Sequence, residues 1–219
     1  MNIVFAVVII LVGLAALVGL GYSLWMIFDR RSPARSPRSF SRRVGRVLKD
    51  LCREHQGWVC ESDIPLYFPG SDKVVNINYV LIADKFCYCI VCQTLTGALA
   101  GQVDDGFWTL YDLKGQSINL KNPMSLNAEN AKDLEYVLTD GRPIEGDQIV
   151  LPVMVVSRQL RVDPRIVTRE KGNYLFSLRY LARGISHIEA SAVDTSVLCD
   201  RPRLIETLQR AKGKVHDAS

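Results

Sequence analysis

Most residues able to do chemistry lie in or beside one stretch, Asn76 to Trp108, which reads NINYVLIADKFCYCIVCQTLTGALAGQVDDGFW. Asp84, Asp104 and Asp105 carry the hard oxygens that a divalent cation prefers. All three fall in turn-like segments, where aspartate is favoured for local hydrogen bonding, and that is the plainer reading. Cys87, Cys89 and Cys92 offer soft ligands. Strand alternation sends Cys87 and Cys89 to one face and Cys92 to the other, and no histidine lies nearby in sequence. They read as small apolar residues of a core, and no metal site is expected. His55, His187 and His216 stand apart from one another, and Ser186-His187 has no acid partner set by spacing. Gly97-x-x-x-Gly101 lacks the Lys-Ser/Thr of a phosphate loop, and no nucleophile elbow or dinucleotide fingerprint is present. Trp108 and Tyr111 could stack on bases. Rings of this kind more often close a core, which is the expectation for both.

The elements that must hold these residues follow from periodicity. Val74 to Val91 is almost continuously apolar or β-branched, as in strands covered on both faces. It divides into strands at about 74–82 and 86–93, joined by Ala83-Asp84-Lys85. Before it, Ser39 or Ser41 caps a helix running to about His55, with Val44, Val47, Leu48, Leu51 and Cys52 as its stripe. Trp58 to Leu66 alternates and contains Pro65, which suits an edge strand. Strands are expected from Phe107 to Tyr111 and around Ile118 and Leu120. A helix follows from Asn122-Pro123 to about Leu138, then a strand over 148–156. In the last third, 174–183 reads as helical, 185–189 as short and extended, and Pro202 to Lys212 as a helix capped by Asp200. The order implies an α/β fold with a mixed central sheet flanked by helices.

The front of the chain is of another kind. Residues 3–28 hold no charged side chain, enough at about 1.5 Å per residue to cross a hydrocarbon core of about 30 Å. Arg30, Arg31, Arg35, Arg38, Arg42, Arg43, Arg46 and Lys49 follow, against the single acid Asp29. That bias predicts one transmembrane helix over 1–28, a short N-terminus outside, and the remainder in the cytoplasm, as in a bacterial inner-membrane protein. Residues 29–41 then form a basic Arg/Ser/Pro linker, with domains over 42–157 and 158–219, the latter packing on the former. The net charge of +4 comes largely from the basic run, so a strongly basic DNA-binding protein is not indicated. The six cysteines suit a reducing compartment. Ala15 and Gly19 form a small-xxx-small pair through which two anchors could associate.

The order of elements meets a known pattern at Gly45-Arg46, Ile77-Asn78-Tyr79, Val91-Cys92-Gln93, Gly97, Gly101, Asp105-Gly106-Phe107-Trp108, Asn122-Pro123 and Val153 to Ser157. Over about Phe40 to Ser157 the chain resembles the nuclease-related domain (NERD) family, itself similar to restriction-endonuclease-like nucleases. The resemblance implies that fold, and a site where carboxylates hold a metal and a lysine attends the nucleophile. The four positions concerned are Arg46, Asn78, Val91 and Gln93, which replace a helix acid, Asp, Glu and Lys. Asparagine is a poor ligand for Mg²⁺, valine is none, glutamine is no ammonium, and arginine opposes a cation. The expectation is therefore a membrane-anchored domain that binds or assembles without catalysis and without a cofactor. The partners expected are the membrane, a nucleic acid or a protein, and a second copy through the anchor. Arg42, Arg43, Arg46 and Lys49 are the candidate nucleic-acid contacts. The alternative is a Mg²⁺-dependent nuclease with acids relocated to Asp84, Asp104 or Asp105.

Overall fold

The structure is a computed structural model that describes residues 37–67, 74–141, 148–163, 166, 173–192 and 201–213. These all belong to one unit, Pro37–Ser219. The expected membrane helix over 1–28, the greater part of the linker and Asp200 lie outside the described residues. Among those described, no helix is long and apolar enough to cross a membrane.

Helix α1 (Pro37–Glu54) starts five residues before the expected domain boundary, so 37–41 is helix rather than linker. Proline at the first helical position needs no hydrogen-bonded N–H and already has the helical φ. Phe40, Val44, Leu48 and Leu51 make its buried stripe. Burying each such side chain is worth about 1.5–3 kcal/mol relative to leaving it in water. Strands β1 (Val59–Tyr67), β2 (Val74–Ile82) and β3 (Cys87–Gln93) come next, with β2 antiparallel to both of its neighbours. β4 (Gly97–Ala100), β5 (Phe107–Tyr111) and β6 (Ser117–Lys121) form an antiparallel set. Helix α2 (Pro123–Leu138) leads to β7 (Val150–Val156), which runs parallel to β3. β8 (Leu160–Val162), β9 (Tyr174–Ser177), α3 (Leu181–Ser191) and α4 (Arg201–Gly213) complete the described elements.

Among the described residues two mixed sheets replace the expected single one: β1-β2-β3-β7-β9 and β6-β5-β4-β8. α1 and α3 cover one face of the larger sheet through a cluster that includes Leu48, Leu81, Tyr88, Ile90 and Ile185. α2 and α4 cover the other, with Val80, Ile82, Cys87, Leu134 and Leu208. A third cluster joins Trp108 and Leu110 of the smaller sheet to Met154 and Val156 of β7. The segment 158–219 is more than packing on the domain, because β8 and β9 each extend a sheet by parallel pairing.

The last third differs from expectation in register. Tyr174–Ser177 is a strand, not helix, and 185–189 lies inside helix α3 rather than extended. β9 exists by pairing with Val153–Val156, a partner about twenty residues away that local periodicity does not report. Gly184 permits the close packing of α3 on it, since a Cβ there would fall 2.5 Å from the Phe176 ring. α3 is further tied down by Glu189, which accepts from the Tyr88 hydroxyl at 2.7 Å and from the Lys85 amide at 2.8 Å.

Candidate site at the β2–β3 fork

The ladder between β2 and β3 ends at the pair Tyr79 and Ile90, although β3 continues along β7 to Gln93. The two strands therefore fork at Asn78. Its side-chain Oδ1 spans the opening and accepts the Cys92 N–H at 2.8 Å, satisfying an amide that the lost ladder would leave unpaired. Asn78 is thereby set against β3 between the two other positions of interest, Val91 and Gln93, both half-buried. Val91 pairs in register with Met154, and Gln93 with Val156, two members of the third cluster.

The fork also marks a switch of faces. Tyr79 and Leu81 pack on the α1 side, whereas Ile77 and Val75, which alternation would place with them, pack on the α2 side. β1 switches at the same level, from Cys60 on the first face to Ile64 and Leu66 on the second. The residue between is Asp63, whose φ of 54° lies in the left-handed region that aspartate tolerates better than most residues. Ser62 pairs with Tyr79 and Ile64 with Ile77, so Asp63 stands opposite Asn78. This carboxylate was missed in sequence. The available signal was an acid inside an alternating strand, two residues before a proline.

Arg46 does not join Asn78, Val91 and Gln93. It is exposed on α1, while its neighbour Gly45 faces the sheet. A Cβ on Gly45 would lie 2.7 Å from the Tyr79 hydroxyl, so glycine is what lets the ring sit beneath the helix. That hydroxyl donates to the Ser41 carbonyl at 2.9 Å and accepts from the Ser41 side chain at 3.1 Å. Burial pushes the Cys92 thiol up to about 12, with the Ser41 hydroxyl opposing the shift and the Asp63 charge adding to it. Burial likewise takes Cys60 to about 12. Cys87 and Cys89 sit on the α2 side and Cys92 packs on the α1 side, so strand alternation separates the three thiols as expected. Protonated and divided between faces, they are poor metal ligands.

The nuclease frame implies a divalent cation at this fork, and the donor set does not fit one. Asn78 has committed its oxygen to a backbone amide, and Val91 has no donor atom. Among the described residues no three His, Cys, Asp or Glu side chains are grouped to hold a metal. Two of the other acids are engaged elsewhere. Asp84 pairs with Arg201 at 2.7 Å, and Asp105 Oδ2 accepts the Gln102 amide at 2.7 Å.

The surrounding scaffold motifs are intact and each has a structural task. Asn122 is buried; its Oδ1 accepts from the amides of Met124 and Ser125, capping α2. Its Nδ2 donates to the carbonyls of Val103 and Asp105, both at 2.8 Å. Trp108 is 0% exposed and donates from Nε1 to the Gln102 carbonyl at 2.7 Å, as the core reading requires. Tyr111 departs from that reading, being 44% exposed on β5.

Of the basic candidates, Arg42, Arg46 and Lys49 are exposed and share one side of α1 with Arg38. Arg43 turns away, with its guanidinium 5.7 Å from the centre of the Phe40 ring. Among the isolated histidines, His55 stacks on Trp58 at 4.1 Å. His187 lines a cavity of about 540 Å³ between β9 and α3, with Phe176, Tyr180 and Arg183.

A mixed sheet forked at its central strand pair, with helices on both faces, defines a mixed α/β domain, and none of Asn78, Val91 and Gln93 at the fork carries a carboxylate. The profile of the nuclease-related domain matches residues 37–157, more than half of the 219-residue chain, and the chain belongs to that family. No curated protein matches. One solved structure, that of the protein of unknown function AF1548, is similar at 14% identity over 82% of this chain and 95% of that one, with a TM-score of 0.32.

Proposed function

We propose that this protein is a non-cleaving nuclease-related module, held at a membrane by residues 1–28, that binds nucleic acid on the cytoplasmic side. The observation that carries this reading is the fork, where the Asn78 carboxamide bonds the Cys92 amide in a place that catalysis would give to a metal-bound carboxylate. Support for the ligand comes from α1. Arg38, Arg42, Arg46 and Lys49 form an exposed basic ridge spanning about 16 Å along the helix, suited to phosphates on one strand. The charge bias after Phe28 supports the orientation, and Ala15 with Gly19 supports association of two anchors.

The full-length chain in detergent, given duplex DNA with Mg²⁺ or Mn²⁺, binds without cutting. Its affinity falls steeply with salt, and Arg42→Gln with Arg46→Gln lowers the slope by about two. Absence of binding near physiological salt defeats the reading. The alternative, a metal-dependent nuclease with a relocated acid, has one specific observation in its favour: Asp63 stands opposite Asn78. Metal-dependent cleavage abolished by Asp63→Asn establishes that alternative in its place.

A further inference from the structure

The smaller sheet has two unlike faces. Trp108, Leu110 and Leu99 point into the third cluster. The opposite face carries Phe107 and Tyr111 of β5, at 67% and 44% exposure, with the half-buried Thr109 between them. Phe107 is paired with Lys121, Thr109 with Asn119 and Tyr111 with Ser117 on β6. On the other side, Tyr111 is paired with Ala98 and Thr109 with Ala100, and Ala98 in turn with Arg161 of β8. No acid occupies any of these register positions.

We propose that this face is a stacking platform for single-stranded nucleic acid, an inference that rests on the nucleic-acid reading above and names a second surface for it. Two exposed rings four residues apart on one strand lie on the same side, roughly 13 Å from each other. Unpaired bases have apolar faces that such rings cover without regard to sequence. A cation stands near each end of the pair. Lys121 is directly across from Phe107, and Arg161 is two strands from Tyr111, about 10 Å away. Neither forms an ion pair among the described residues, which leaves both for phosphates. The methyl groups of Ala98 and Ala100 keep the floor low, so that a strand can lie across β4 without meeting a large side chain. Thr109 Oγ1 donates to Asn119 Oδ1 at 3.3 Å, which leaves the Asn119 amide hydrogens free for a base edge or a phosphate. Charge separates this occupant from a protein partner of the apolar kind. Cations at both ends, with no acid in register between them, suit a phosphate backbone better than an apolar protein surface.

The test is fluorescence anisotropy of a labelled oligothymidylate of about a dozen nucleotides with the full-length chain in detergent. Phe107→Ala and Tyr111→Ala each weaken binding about tenfold, Tyr111→Phe leaves it within about threefold, and Lys121→Gln with Arg161→Gln lowers the salt slope. Unchanged thermal unfolding shows that the variants fold, as expected for exposed positions. Alanine variants that bind oligothymidylate as well as the parent overturn the platform. If the parent still binds duplex through α1 in that case, the module reading stands without it. If the parent binds neither single-stranded nor duplex DNA, both fall together. Aromatic variants that alter only the oligomeric state in sedimentation make this face a protein interface, and the proposal fails.

Discussion

Two regions of the same domain carry the family's motifs and have met different ends. At the fork, Asn78, Val91 and Gln93 stand where acids and a lysine are expected; Asn78 bonds a backbone amide across the opening, and Val91 and Gln93 pair along β7. Around Asn122, the motif residues are all present, and they form a knot of hydrogen bonds joining the 102–106 turn, β5 and the start of α2. The difference separates two kinds of motif. Metal ligands are surplus to folding, because a neutral side chain can take over their one structural duty. The knot is not surplus, because Asn122 and Trp108 at its centre are buried and their side-chain polar atoms each have a named partner.

The knot therefore gives the largest expected effect. Asn122→Ala removes a helix cap and leaves two carbonyls without their donor, costing about 3 kcal/mol in denaturant unfolding. A loss under about 1 kcal/mol would erase the contrast between the regions. Beside the fork, Gly45→Ala presses on the Tyr79 hydroxyl and costs about 2 kcal/mol. Tyr79→Phe in the same background relieves part of that, and a double-mutant cycle reads the coupling at about 1 kcal/mol. At the fork itself, Asn78→Leu orphans the Cys92 amide for about 1–2 kcal/mol. Asn78→Asp keeps an acceptor and stays within about 0.5 kcal/mol of the parent, and it gains no Mg²⁺-dependent cleavage because Val91 and Gln93 are unchanged. Cleavage by that single variant would show that the fork is closer to a metal site than its donor set indicates.

Per group, a smaller effect than the Asn78→Leu loss concerns the thiols near the fork. Cys60 and Cys92 are held at about 12 in the folded chain against an ordinary 9.0. Between those values the unfolded chain loses thiol protons that the folded chain keeps, so stability is full below pH 9 and declines as pH rises towards 12. From pH 8 to 9.5 the loss is about 0.8 kcal/mol for each thiol. Unfolding curves at the two pH values, compared with a Cys60→Ala, Cys92→Ala variant, show the decline flattened in the variant.

Much of this contrast was legible from residue types. The strands 74–82 and 87–93, the Asn-Pro helix start and the buried Trp108 all follow from runs of apolar residues and from capping chemistry acting over a few positions. Tyr111 misled because alternation on β5 puts Trp108 and Leu110 on one side and Phe107 and Tyr111 on the other, and composition does not say which side meets the core. The stretch 174–191 misled for a different reason. Its strand is made by a distant partner in β7, while the Ile185 and Ile188 spacing that marks α3 is short enough to be overlooked.

By itself, the sequence determined which side chains stand at 46, 78, 91 and 93, the charge run after residue 28 and the identity of the central strands, because these depend on which side chain is present and on local periodicity. Only the tertiary structure decided that β2 and β3 part at Asn78, that Asp63 takes the position opposite it on β1, that Arg46 points away and that the described residues build two sheets. Each of those depends on pairing between segments far apart in the chain. Pairing energy is set by the register and packing of both partners together, which neither segment encodes alone.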